Sequence, residues 1–374
     1  MTNRPEPPFL AAYLHVPFCR RKCAYCSFYS VAYSPRRAGT FLEALEKDLD
    51  RRARAAATVY LGGGTPTILA PRELRRLLAA ARRAFPNADE FTVEANPETL
   101  DREKARILAE HGVNRVSLGL QTLRPDLLAR IGRNGSPGHF PRALELLAAA
   151  GIPPSSVSCD LLYGIRGQRG EDLEEAVRGL AAAGVGHVSL YALSVEPGTR
   201  LARAREKATA AEGDFARHYL AAFRALEQEG YRRYEISNFA RSGRRCRHNL
   251  NYWKGGRWQA FGPAATGEEE ADRRYRILPD WKAYCAALEE GRNPPMNIEH
   301  LTPRQRREER LMLSLRLEEG ADEATLAALG ERALRRARRL ASSGFLRRLS
   351  GRFSVPPEKA MLLDEITAEI LAAT

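Results

Sequence analysis

The sequence predicts an α/β protein, in which a parallel sheet forms a partial (β/α)6 barrel and is followed by a smaller, mostly α-helical domain. Over the first two-thirds of the 374 residues, short β-branched or aromatic runs alternate with amphipathic stretches at helical spacing. Such alternation is typical of parallel strands joined by crossover helices. From about Leu301 the pattern changes to successive helices and a hairpin. Because six strand–helix units are too few for the closed eightfold barrel, an open or partial barrel is favoured.

Each predicted element has its own local pattern. The strands are short segments rich in β-branched or aromatic residues, and they cover 11–16, 58–61, 90–95, 115–120, 156–162 and 187–193. The helices between them repeat apolar residues at helical spacing, and they cover 41–54, 71–85, 101–111, 139–150 and 171–183. A parallel sheet of this kind binds its ligands at the carboxyl ends of its strands, so we expect the functional residues there.

The pattern becomes less regular after the sixth unit. A helix is predicted over 214–228 and an extended strand over 231–238. The segment 241–276 is rich in glycine, arginine and aromatic residues and has no clear periodicity. We interpret it as a structured loop region with a function of its own.

The C-terminal region resembles a small winged-helix module. A helix begins at Pro303, since proline is favoured at the first helical position. A basic helix over 333–341 follows, and then two strands, 345–349 and 352–355, flank a Ser-Gly pair suited to a tight hairpin turn. The predicted divisions are a barrel with the cluster loop over 1–240, a connecting segment over 241–300 and a C-terminal domain over 301–374.

Composition narrows the class of protein. Hydrophobic residues make up 44% and charged residues 28%, which is ordinary for a globular chain. The N-terminus has no basic stretch before an apolar run, and no run of about 18 apolar residues occurs, so we expect a cytoplasmic protein. The net charge of +13 is consistent with a nucleic-acid or anionic partner. Because the arginines are spread over many segments, solvated basic helix faces are favoured and no nucleic acid is expected.

Three cysteines lie within one short segment, Cys19-Arg-Arg-Lys-Cys23-Ala-Tyr-Cys26. In a reducing compartment such a group is more typical of metal binding or catalysis than of a disulfide. Three thiolates can hold three corners of a cubane iron–sulfur cluster. The fourth iron then has no protein ligand, and it can accept the amino and carboxylate groups of S-adenosylmethionine.

Zinc is the alternative for this segment. Zinc usually takes four ligands, and structural zinc sites pair two cysteine clusters, whereas this chain has one. His15 stays open as a fourth ligand. The scattered Cys159, Cys246 and Cys285 are interpreted as core thiols.

Further motifs follow the predicted strands. The run from Gly62 to Pro66, Gly-Gly-Gly-Thr-Pro, comes after the second strand, and its glycines would let backbone N–H groups meet the amino-acid part of the cofactor. Glu94 lies near the end of the third strand, Gln121 ends the fourth and Asp160 lies near the end of the fifth. Alone, each motif is weak, because a glycine turn is usually only a turn. Their order along the chain after the cysteine loop supports all of them together as a cofactor site.

This order resembles the radical S-adenosylmethionine superfamily and, more closely, its oxygen-independent coproporphyrinogen oxidase-like group. The resemblance covers about residues 11–284 by motif. It implies a radical S-adenosylmethionine barrel with a 4Fe-4S cluster on Cys19, Cys23 and Cys26. The residues that match cofactor positions of the family are Tyr13, Tyr25, Gly63, Gly64, Thr65, Glu94, Gln121, Arg133, Asp160 and Ala192. By chemistry alone, Tyr13 and Ala192 would be interpreted as core residues.

A later motif, His248-Asn-Leu-Asn-Tyr252-Trp253, resembles the HNxxYW sequence of the heme chaperones in this group. The resemblance implies that His248 binds heme, because an imidazole can ligate heme iron and aromatic rings can stack on a porphyrin. The alternative also stays open: His248 would be hydrogen-bonded inside a loop and the aromatic residues would be core.

Two features favour a heme chaperone over an oxidase. Oxidases of this group resemble a longer chain with an extension before the cluster, whereas here Cys19 comes early. They also carry a further cysteine two residues after the trio, where this chain has Phe28. We therefore expect a chaperone that binds heme and delivers it to acceptor proteins, respiratory ones among the candidates, and that uses an electron donor. Oxidation of coproporphyrinogen III is the alternative. Turnover of S-adenosylmethionine, peripheral membrane association and a homodimer stay open.

Three places depart from the family pattern: the segment Gly164-Ile-Arg-Gly-Gln168 lacks the proline that is usual there, and two single residues differ. Ser27 stands where an aspartate is expected, and Thr266 stands where a histidine is common. Both concern the cofactor and heme pockets, and neither concerns the cluster ligands.

Overall fold

The computed structural model describes residues 10–373 except 134, 137, 205–207 and 271. Its centre is a sheet of six neighbouring parallel strands in sequence order. They are β1 (Ala11–Val16), β2 (Thr58–Gly63), β3 (Glu90–Ala95), β4 (Arg115–Gln121), β5 (Val157–Tyr163) and β6 (His187–Ala192). All six are the predicted strands, with ends that differ by two residues or fewer.

The helices of these units alternate with the strands, and those that contribute to the main hydrophobic core pack on the outer side of the sheet. They are α1 (Pro35–Arg52), α2 (Pro71–Ala84), α3 (Arg102–Glu110), α4 (Pro125–Arg130), α5 (His139–Ala149), α6 (Gly170–Ala182), α7 (Arg200–Arg203) and α8 (Glu212–Gln228). Helix α1 begins earlier than the predicted residue 41. Ser34 Oγ accepts the N–H of Arg37 and Pro35 occupies the first position, which together form a helix start.

Residues alternate between two environments along the central strands. In β4, Val116 and Leu118 belong to the main hydrophobic core against the helices, whereas Arg115, Ser117 and Gly119 line a cavity inside the barrel. Successive strand residues point to opposite faces, so one face can be apolar and the other polar. The same alternation in the neighbouring strands gives the barrel a polar interior.

The predicted strand over 231–238 is wrong in detail. Two short strands, β7 (Arg232–Arg233) and β8 (Asn238–Ala240), extend the sheet antiparallel beyond β6. Between them, the Glu235 carboxylate accepts the N–H of Ser237 at 3.0 Å. Such a local side-chain bond competes with the strand ladder and interrupts it.

The prediction of an irregular region over 241–276 is also wrong. It contains helix α9 and three strands, and the sheet continues through a further helix and strand. These are α9 (Arg247–Trp253), β9 (Trp258–Phe261), β10 (Thr266–Glu270), β11 (Arg273–Ile277), α10 (Trp281–Glu289) and β12 (Met296–His300). Strand β9 pairs parallel with β1, and the next three strands are antiparallel.

The C-terminal region has its own hydrophobic core, which includes Leu311, Phe353 and Ile366. Its elements are α11 (Pro303–Arg316), β13 (Ala321–Asp322), α12 (Glu323–Ala327), α13 (Glu331–Ser342), β14 (Arg347–Leu349), β15 (Arg352–Ser354) and α14 (Leu363–Leu371). The predicted hairpin is present: Ser350 and Gly351 both have positive φ, as a tight two-residue turn requires. The winged-helix assignment and the three-part division stay predictions. Among the described residues, no helix is both long and apolar enough to cross a bilayer.

Candidate functional site

A cavity of about 540 Å³ lies inside the barrel. It begins at the cysteine loop, beside the carboxyl ends of the strands, and reaches their amino ends at Arg115 and His187. The predicted site residues that line it are Cys19, Cys23, Tyr25, Cys26, Gly63, Gly64, Thr65, Glu94, Gln121, Arg133, Asp160 and Ala192. The structure therefore brings twelve predicted residues to one cavity, whereas Tyr13 and His248 lie outside its lining.

The cysteine loop follows β1 and forms one wall of this cavity. Residues Phe18–Cys19 pair with Val31–Ala32 in a short two-stranded parallel sheet that closes the base of the loop. All three cysteines are partly exposed, and burial raises the pKa of the Cys19 and Cys26 thiols. Among the described residues, no three His, Cys, Asp or Glu side chains form a group at single-ion spacing.

His15, the open fourth ligand for zinc, is already engaged within the protein. Its Nε2 donates to the carbonyl oxygen of Tyr29 at 2.9 Å, and the Tyr13 hydroxyl lies 3.1 Å from its Nδ1. Burial lowers the pKa of His15 to about 4, so the ring is neutral at pH 7. His15 and Tyr13 thus form hydrogen bonds at the base of the cysteine loop, and neither residue lines the cavity.

The glycine run packs directly under the cysteine loop. A Cβ atom at Gly64 would come within 2.5 Å of the carbonyl oxygen of Phe18 and 2.6 Å of that of Val16. Gly63 has φ +95°, and its N–H donates to the Glu94 carboxylate at 2.9 Å. The N–H groups of Gly64 and Thr65 donate to the same two loop carbonyls. In this conformation these N–H groups donate within the protein, and their contact with the cofactor stays a prediction.

Replacement of Gly64 by alanine should therefore displace the cysteine loop. We expect the Gly64→Ala chain to retain less than about half of the wild-type iron after reconstitution, because backbone atoms cannot yield as a flexible side chain does. Iron and sulfide quantitation measures the effect. Gly179→Ala is the matched control: this helical glycine has nothing within 4 Å of an added Cβ. Equal iron content in both variants would contradict the packing role of Gly64.

Two carboxylates face the centre of the cavity. Glu94 accepts the Tyr60 hydroxyl at 2.9 Å, and Asp160 accepts the Ser117 hydroxyl at 3.3 Å. Desolvation inside the barrel, with the Asp160 charge as a second cause, raises the pKa of Glu94 to about 7. Desolvation also raises the pKa of Asp160 to about 6. In the described part of the chain neither carboxylate forms an ion pair, so both suit a cationic ligand group.

The cavity lining also carries a cation. Arg133 Nη2 donates to Asn96 Oδ1 at 2.7 Å and to the carbonyl oxygen of Gly119, and Arg133 interacts with the Tyr25 side chain. Gln121 adopts φ +71° where a bulge interrupts the pairing of β4 with β5. A non-glycine residue in this conformation costs about 1 kcal/mol or more, and such strain clusters at functional sites. The donor set therefore fits a ligand with both cationic and polar groups.

Helix α9 closes the other end of the barrel. The N–H groups of Arg247 and His248 donate to the Glu90 carboxylate at 3.0 and 2.8 Å. The His248 ring is hydrogen-bonded on both nitrogens, to the Thr58 hydroxyl at 2.9 Å and to the Tyr252 hydroxyl at 2.8 Å. His248 is 1% exposed, and burial lowers its pKa to about 3. In this conformation both ring nitrogens have hydrogen-bond partners within the protein, which agrees with the alternative of a histidine hydrogen-bonded inside the protein.

The heme-type motif and the cysteine loop thus lie at opposite ends of one cavity. Cys246 and Asn249 of this region line the cavity floor, although His248 does not. Sequence reasoning missed other lining residues, among them Tyr60, Thr92 and Arg115. The signal that could have found them is the recurrence of polar residues at every second position of the central strands.

Comparisons with known proteins agree with this arrangement. Residues 13–180 match the family model of the radical SAM superfamily. The heme chaperone HemW of Mycobacterium tuberculosis is 36% identical over 98% of this chain and 96% of its own length. The HemW proteins of Bacillus subtilis and Escherichia coli are 33% and 34% identical, over 85% and 70% of this chain and 86% and 70% of their own lengths.

A solved structure shows the same fold. Coproporphyrinogen III oxidase (HemN) from Escherichia coli, a radical SAM enzyme, superposes with a TM-score of 0.82 at 20% identity, over 97% of this chain and 90% of its own. Together with the matched residues and the near full-length relatives, this establishes the family. The chain belongs to the HemW family of the radical SAM superfamily.

Proposed function

We propose that this chain is a cytoplasmic heme chaperone that holds a 4Fe-4S cluster, S-adenosylmethionine and heme and delivers heme to acceptor proteins. The observation that carries the proposal is the similarity to proteins named heme chaperones over nearly the whole chain, including its C-terminal region. Heme acceptors and an electron donor are the proposed partners.

The cavity supplies suitable groups for the first two ligands. Cys19, Cys23 and Cys26 would hold the cluster, which when bound offers one open iron position and an electron to S-adenosylmethionine. Glu94 and Asp160 would attract the positive charge of that ligand, and Arg133 and Tyr25, which line the same cavity, would offer it hydrogen-bond donors. Enclosure by the barrel limits access of water to these groups.

Heme binding at His248 would require a local rearrangement. An imidazole nitrogen can ligate iron only when it is unprotonated and not engaged in another hydrogen bond, and both His248 nitrogens are engaged here. Ligation therefore implies that the Tyr252 or Thr58 hydrogen bond is exchanged for iron and that α9 moves from the barrel floor.

Heme titration tests this role with two variants. We expect His248→Ala to weaken heme binding by about tenfold or more, since it would remove the imidazole proposed to hold the iron. Thr58→Val removes a hydrogen bond to the same ring but keeps the imidazole, so it should bind heme as well as the wild type or better. Absorption titration of the reconstituted chains gives both affinities. Unchanged binding in His248→Ala, or equal weakening in both variants, would contradict ligation by His248.

The second candidate is oxidative decarboxylation of coproporphyrinogen III. Its support is the fold similarity to the Escherichia coli oxidase. Anaerobic incubation with that substrate, S-adenosylmethionine and a reductant distinguishes the two candidates. Formation of protoporphyrinogen would favour the oxidase, and its absence would leave the chaperone.

A further inference from the structure

The floor of the barrel contains a charged group that the proposed cofactor site does not use. Arg115 is the first residue of β4, lines the cavity and is 7% exposed. Its Nη1 donates to the carbonyl oxygen of Arg244 at 3.0 Å, whereas its Nη2 has no hydrogen-bond partner among the described residues. A buried guanidinium N–H without an acceptor is unfavourable, so this donor indicates a ligand.

A second unsatisfied atom lies beside it. Thr92 is 1% exposed, and its Oγ1 has no hydrogen-bond partner among the described residues. Thr92 is the register neighbour of Arg115 across β3 and β4, and both residues line the cavity. Two adjacent polar groups that lack partners therefore share one patch of the cavity floor.

The acid near Arg115 does not supply the missing acceptor. Both Glu90 carboxylate oxygens already accept backbone N–H groups of α9, and Glu90 forms no ion pair with Arg115 in the described part of the chain. The neighbouring hydroxyl of Ser158 is bonded to His187 Nδ1 at 2.7 Å. Glu90 thus compensates the Arg115 charge from a distance, while no acceptor among the described residues engages the Nη2 donor.

We infer that the barrel floor is a second ligand subsite, which binds the carboxylate of a small organic molecule through Arg115 Nη2 and Thr92 Oγ1. A carboxylate fits because it accepts both an N–H and a hydroxyl donor and carries a single charge. A dianion such as phosphate fits less well, because Glu94 and Asp160 face the cavity above this patch. The inference goes beyond the proposed function and holds even if the chain does not bind heme.

Sodium propionate and its neutral analogue propionamide probe this subsite in the full-length, reconstituted chain. Titration of carbon-13-labelled probes at about pH 6, where Glu94 is largely protonated, should give a dissociation constant about tenfold lower for propionate. Arg115→Met should raise the propionate constant about tenfold, and Thr92→Val about threefold. Arg102→Met, which removes an exposed arginine of α3, is the control and should leave it unchanged.

Thr92→Val leaves the hydrogen bond from Arg115 to the carbonyl oxygen of Arg244 intact. If Arg115→Met does not fold, the Thr92→Val measurement is sufficient to test the inference. Equal affinity for propionate and propionamide would overturn the inference, and so would wild-type propionate affinity in Thr92→Val. Because neither measurement involves heme, failure here is distinguishable from failure of the chaperone proposal.

Discussion

Replacement of any one of Cys19, Cys23 or Cys26 by alanine should remove almost all bound iron and sulfide. A cubane with only two protein thiolates leaves a second iron without a protein ligand, and cluster binding is coupled to all three ligands. We expect each variant to hold less than about a tenth of the wild-type iron after anaerobic reconstitution. Metal quantitation and the visible absorption spectrum measure this loss.

The control for this experiment is Cys285→Ala. Cys285 is buried in the main core, distant in sequence from the loop, and does not line the cavity. We expect this variant to keep the wild-type iron content and to lose only some stability through the smaller side chain. A chain that binds zinc in place of iron, or that keeps its cluster after loss of Cys23, would contradict the assignment.

Binding of S-adenosylmethionine should become tighter as the pH rises. Because desolvation raises the pKa of Glu94 to about 7 and that of Asp160 to about 6, Glu94 is largely protonated and Asp160 about half protonated near pH 6, whereas both are largely ionised near pH 8. A cationic ligand prefers the ionised form, so binding releases protons. Ionisation of Glu94 alone predicts about a tenfold gain in affinity between about pH 6 and pH 8.

Calorimetric titration in two buffers with different ionisation enthalpies counts the released protons. In Glu94→Gln the residue is neutral at every pH, so we expect weaker binding at pH 8 and a flatter pH profile. Glu98→Gln is the matched control, since Glu98 lines the same cavity but is not among the causes of the raised pKa of Glu94 or of Asp160. A profile of equal slope in wild type and Glu94→Gln would exclude Glu94 as the titrating group.

The central strands could be predicted because their outward residues are apolar at every second position and their ends carry turn residues. The strands beyond β1 could not be predicted from local pattern, because β10 and β11 are dominated by charged residues. Glu268 and Arg274 are register neighbours and form an ion pair at 2.5 Å, and Arg306 of α11 also contacts Glu268. The charges of these strands are neutralised by residues of other elements, and the sequence of one strand alone does not show this pairing.

The part of the site at the carboxyl ends of the strands could also be predicted, because parallel topology brings these ends together. The floor could not be found in the same way, since an arginine at the start of a strand is usually solvent-exposed. Arg115 is buried where the segment that leads into α9, more than a hundred residues later in the chain, covers the amino ends of the strands. The burial of His248 has the same origin.

The position of β9 has a consequence for the order of folding. Strand β1 leads into the cysteine loop, and one of its two neighbours in the sheet is β9, at Trp258–Phe261. During synthesis, one edge of β1 therefore stays unpaired until the ribosome has passed residue 261. Contacts between residues so far apart in sequence slow folding. Until they form, the unpaired edge of β1 can pair with other chains. The nascent protein should then depend on general folding factors until two-thirds of it has emerged.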